Sequence, residues 1–76
     1  MYPKTIDEWE MYVGSLTADE LWNKAMAMNS IVFIRKLEEE GSSAEEINKI
    51  FGVFLKRFVA IGLEPPTGGY VDFSAV

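Results

Sequence analysis

The sequence predicts an all-α domain: a helical hairpin of two long helices, a short N-terminal helix packed across it, and an extended C-terminal tail. Three features point there. Three helix-start signatures of the Ser/Thr-x-x-Glu kind occur in order, each able to satisfy amide groups that a helix start leaves unpaired. Each is followed downstream by a glycine where a helix would stop. Between start and stop, apolar residues recur every three or four positions, the period of a helix with one face buried.

The first helix is expected over 6–13. Thr5-Ile6-Asp7-Glu8 forms its capping box and Gly14 its stop. Ile6, Trp9, Tyr12 and Val13 supply the face that packs on the rest. The second is expected over 18–40, opened by Thr17-Ala18-Asp19-Glu20 and closed by Gly41. Leu21, Ala25, Met28, Val32 and Arg35 fall on one stripe, with Trp22, Met26, Phe33 and Leu37 beside it. That apolar arc is wider than one partner helix covers. The third is expected over 44–61, opened by Ser43-Ala44-Glu45-Glu46 and closed by Gly62. Ile47, Ile50, Phe51, Phe54, Phe58 and Ile61 form its buried stripe. The short Gly41-Ser42-Ser43 link sets the second and third helices antiparallel. Residues 1–62 are thus read as a three-helix domain. Residues 63–76 are read as a Pro/Gly-containing tail, with Pro65-Pro66 barring further helix and Tyr70 to Ala75 alternating polar and apolar as an extended strand does.

Composition narrows the chemistry. The 76 residues contain no cysteine and no histidine. Disulfides, thiolate nucleophiles, zinc sites of the usual kind and His-based acid–base pairs are therefore excluded. The longest uncharged internal stretch, Ala25 to Ile34, is about half of what spans a bilayer. The first residues lack the basic start and apolar centre of a signal peptide. A cytoplasmic protein (or a virion component, if phage-encoded) is expected. No cofactor, metal or small-molecule substrate is expected either. Glu38-Glu39-Glu40 reads as a solvated helix end, because consecutive helical residues point in different directions.

Hydrophobic residues make up 49% of the chain, more than a three-helix unit this small is expected to bury. Surplus apolar surface marks an interface. The expected partner is another protein or a second copy, met through Trp22, Met26, Phe33, Phe54 and Phe58 together with Tyr70, Val71 and Phe73 of the tail. Small, acidic, cysteine-free chains of this type are common among accessory proteins of bacteria and their phages. The expected role is thus a non-enzymatic accessory subunit of a larger, virion-type assembly. The alternative within the same class is an inhibitor of a host or defence protein.

A rival of a different class comes from Gly41-Ser42-Ser43-Ala44-Glu45-Glu46-Ile47-Asn48-Lys49-Ile50-Phe51-Gly52-Val53. This stretch resembles the first helix and turn of bacterial helix-turn-helix domains. The resemblance implies a turn at Gly52-Val53, a recognition helix after it, and DNA contacts from a basic patch of Lys49, Lys56 and Arg57. The following Phe54-Leu55-Lys56-Arg57-Phe58 departs from the polar recognition helix of that family. The net charge of −5 also opposes phosphate binding, with only 42–62 carrying a positive balance. Nucleic acid is not the expected partner. If the tail docks on a partner, removal of residues 65–76 abolishes binding while helical circular dichroism is unchanged. Loss of the helical signal on that truncation would mean that the tail is part of the fold itself.

Overall fold

The computed structural model describes residues 3–66, and all the regular structure in them is helical: α1 (Ile6–Gly14), α2 (Ala18–Met28), α3 (Ile31–Glu39) and α4 (Ala44–Ile61). The start of each helix is local chemistry. The Thr5, Thr17, Ser30 and Ser43 side chains each accept the amide hydrogen of the residue three positions on. At Thr17 and Ser43 the box is reciprocal, with Glu20 and Glu46 accepting from the cap's own backbone N–H at 2.9 and 3.5 Å. At Thr5 it is not: the Glu8 carboxylate accepts from the Thr5 hydroxyl instead, at 3.2 Å.

Two of the three expected stops are Schellman turns. Gly41 and Gly62 sit at φ 96° and 71°, a region that costs a side-chain-bearing residue strain. The geometry lets the next amide reach back: Ser42 N–H donates to the Leu37 carbonyl and Leu63 N–H to the Phe58 carbonyl, both at 3.0 Å. Gly14 behaves differently. It remains the last residue of α1, and the chain leaves through tighter i to i+3 bonds from Ser15 and Leu16.

The long helix expected over 18–40 is two helices. Asn29 (φ −82°, ψ 56°) ends α2, and extended Ser30 caps α3. The Phe33 amide donates to the Ser30 hydroxyl oxygen at 3.3 Å, and that hydroxyl donates to the Ala27 carbonyl at 3.3 Å. Serine and asparagine compete for backbone hydrogen bonds in this way, which makes them natural helix breakers. A continuous helix advances about 100° per residue, so Val32 would lie about 20° from Leu21, facing the core. The interruption resets that phase. Phe33, Ile34 and Leu37 turn inward instead, and Val32 is 74% exposed. A hairpin of two long helices is therefore not formed; the second arm is bent into α2 and α3.

Thirteen apolar residues make the core, five of them from α4. Trp9 joins α1 to it, 6.1 Å from the Phe54 ring and edge-on to Tyr12 at 6.0 Å. Ile6 and Trp9 face Ile50 across one groove, and Glu10 and Gly14 face Val53 and Ala60 across another. These pairings set α1 and α4 parallel. Trp22 then meets Phe58, near the end of α4, with ring centroids 6.3 Å apart, so α2 starts beside the last turns of α4 and runs back. No charged or polar residue is buried among the described residues, so apolar packing holds the helices together.

Three outcomes are expected from these contacts. Ser30→Ala lowers stability by about 1 kcal/mol through loss of the cap, measured by urea unfolding. Trp9→Ala removes about 3–5 kcal/mol, a large share of the roughly 4–11 kcal/mol expected for a chain of 76 residues, read as a marked fall in the urea midpoint. The Thr17 backbone N–H, then its side chain, hold the Glu20 carboxyl below the usual glutamate range, with Lys24 adding a weaker pull the same way. A carboxyl lowered in the folded state stabilises above its unfolded pKa, and that stabilisation is lost as pH falls through the folded value. Thr17→Ala keeps the backbone N–H but removes the hydroxyl, so it raises the Glu20 pKa only part of the way in a carboxyl-detected NMR titration.

Candidate functional site

Among the described residues, no three Asp, Glu, His or Cys side chains are placed to hold a metal ion. Every described Asp, Glu and Lys is exposed. No helix among the described residues is long and apolar enough to cross a membrane.

The expected interface residues separate into three groups. Trp22 and Met26 lie one turn apart on α2, 39% and 52% exposed, on the flank of the helix turned away from Leu21 and Ala25. Trp22 is held in place, because its ring rests edge-on against Phe58. Phe33, Phe54 and Phe58 do not belong to an open face. They are 5%, 0% and 0% exposed and form part of the chain's own core. Burying Phe33 follows from the phase reset at Ser30; Phe54 and Phe58 lie at the centre of the stripe that α1 and α2 cover. Tyr70, Val71 and Phe73 lie outside the described residues.

Of the expected basic patch, Lys56 and Arg57 line one groove between α1 and α4, beside Glu10. Lys49 pairs with Glu45 at 3.6 Å, one turn away on exposed α4. Lys56 lies seven residues on, on the same flank. Arg57 is rotated about 100° from Lys56, half-buried in the groove between α1 and α4 beside Val13 and Val53. Its Nε is buried with no hydrogen-bond partner. The turn implied by the helix-turn-helix resemblance is absent: α4 is one helix through Gly52-Val53, 18 residues long. Its Ile47, Ile50, Phe51, Phe54 and Phe58 side chains face the core, so the segment after Gly52-Val53 is not the separate polar helix that the resemblance implies.

Other apolar residues also reach the surface. Met11 and Val59 are exposed on α1 and α4, and Val32 on α3. A separate cleft of about 240 Å³ lies where α1, α2 and α3 meet, with Trp9, Met28 and Phe33 beneath and Lys24 and Lys36 among its lining. The signal for both Val32 and the cleft was in the sequence as Asn29-Ser30, two poor helix-interior residues inside an apolar run. No protein family, curated protein or solved structure matches the chain.

Proposed function

We propose that this protein is a small non-enzymatic protein-interaction subunit, of the accessory kind found in virion-type assemblies, that docks through the Trp22–Met26 flank of α2. The observation that supports this reading most directly is Trp22. A tryptophan is a costly residue to leave in water, and it is among the types that dominate binding energy at interfaces. Here it is partly exposed yet fixed against Phe58, so little side-chain freedom is lost when a partner covers it. Met26 beside it provides an adaptable apolar surface.

The test is a comparison of the parent chain with Trp22→Glu/Met26→Glu. The parent is expected to run in light scattering above the mass of one chain, or to co-purify from its native source with a stoichiometric protein. The double variant is expected to lose that association, a change of about 2 kcal/mol or more as for other central aromatic anchors, and to keep its helical circular dichroism. A parent chain that is monomeric and captures nothing sinks the proposal. So does a double variant that associates as the parent does.

A further inference from the structure

We infer that the groove between α1 and α4 docks an acidic segment of a partner protein, in which Arg57 and Lys56 hold a carboxylate and the groove's apolar lining takes the side chain next to it. The groove has a volume of about 260 Å³ and is open rather than enclosed. Val13 and Gly14 of α1 and Val53 and Ala60 of α4 give it an apolar lining of small side chains. No residue of α2 is among its described lining. It is therefore a second surface, apart from the Trp22–Met26 flank, and the inference does not rest on the docking role proposed for that flank.

Arg57 carries the argument furthest. Its Nε is buried without a hydrogen-bond partner, the one side-chain nitrogen or oxygen in that state among the described residues. Arg57, Lys56 and Glu10 form no ion pair, although all three line the groove. A guanidinium drawn partly out of water and left unpaired is unfavourable, and a carboxylate brought by a partner relieves it. The planar fork of arginine matches a carboxylate in geometry, and arginine is enriched at protein interfaces for this reason. The half-buried stem already restrains the side chain, so less freedom is lost on docking. Lys56 adds a second positive charge, of which Glu10 offsets one. The described lining thus keeps an excess of one positive charge in a chain whose net charge is −5. That balance favours a protein segment with an isolated carboxylate over a nucleic acid, whose repeated phosphates need a broad basic face. The lining agrees. Apolar side chains of the partner can rest on Val13 and Val53, and a Cβ placed on Gly14 meets nothing within 4 Å, so the α1 wall leaves room for the partner's backbone. A free small molecule is favoured by a site that encloses most of its surface, which an open groove does not do.

The experiment uses the full chain, labelled with ¹⁵N and titrated separately with acetyl-Leu-Glu-Leu-amide, acetyl-Leu-Gln-Leu-amide and a short oligothymidylate. The acidic peptide is expected to give saturable shifts of the Val13, Gly14 and Ala60 amides and of the Arg57 Nε–H resonance. The Gln peptide, which keeps the shape and lacks the charge, is expected to bind about tenfold more weakly through loss of one charge-assisted contact. Arg57→Met keeps the apolar stem and removes the guanidinium. It is expected to weaken the acidic peptide by a similar factor and to leave the Gln peptide unchanged, a split that a purely structural role for Arg57 does not produce. Gly14→Leu is expected to keep its helical circular dichroism and to lose both peptides. The Trp22→Glu/Met26→Glu chain is expected to bind the acidic peptide as the parent does. Equal binding of the two peptides overturns the carboxylate assignment, as does an Arg57→Met chain that binds both as the parent does. Absence of saturable groove shifts at millimolar peptide overturns the site. Tighter binding of the oligothymidylate than of the acidic peptide replaces the protein partner with a nucleic acid and overturns the inference too.

Discussion

The fold turns on one hydroxyl group. Ser30 accepts the Phe33 amide and donates to the Ala27 carbonyl, and these two bonds end one helix and begin the next. A single uninterrupted helix from Leu21 to Leu37 would keep one phase and present a stripe that α4 covers only in part. The interruption allows the run to bury two different faces in succession: Leu21, Ala25 and Met28 from α2, then Phe33, Ile34 and Leu37 from α3. A chain of 76 residues has little interior, and bending one arm is how this one encloses α4 on more than one side. The contribution of the cap itself is small, about 1 kcal/mol. Its effect is large because it decides which side chains the hydrophobic effect then acts on.

The same bend separates two surfaces on α2. One flank carries Trp22 and Met26, apolar and backed by Phe58. The other faces the cleft under α3, where Lys24 and Lys36 stand over an aromatic floor. They differ in make-up: one is an apolar flank, and the other is a cleft with two lysines among its described lining. Neither depends on buried charge. Six of the twelve acids, Asp7, Glu8, Asp19, Glu20, Glu45 and Glu46, sit in helix first turns, where the exposed amides favour them.

The helix starts were legible because capping is local. Thr5, Thr17 and Ser43 act on amides three residues away, and the structure places helix starts at all three. Gly41 and Gly62 were legible for the same reason, since a left-handed residue is needed where the chain reverses out of a helix. The extent of α4, 44–61, followed from one such start and one such stop. The candidate site was far less legible. Trp22 and Met26 emerged on an open face as expected, but Phe33, Phe54 and Phe58 did not. Periodicity says that a side chain belongs to an apolar stripe; it does not say whether the cover is the same chain or another. Lys24 and Lys36 drew no notice, because they sit twelve residues apart and only the bend brings them to one cleft.

By itself the sequence determined an all-helical chain, the places where its helices start, the glycines at which two of them end, and the absence of cysteine and histidine chemistry. Those follow from interactions within four or five residues, or from composition alone. Only the tertiary structure decided that Val32 turns outward, that three of the proposed contact phenylalanines belong to the core, and that a cleft forms between α1, α2 and α3. Each of these depends on which faces meet across the molecule. A shift of two residues at Asn29-Ser30 rotates every later side chain by a large fraction of a turn, and periodicity read along one helix carries no record of that rotation.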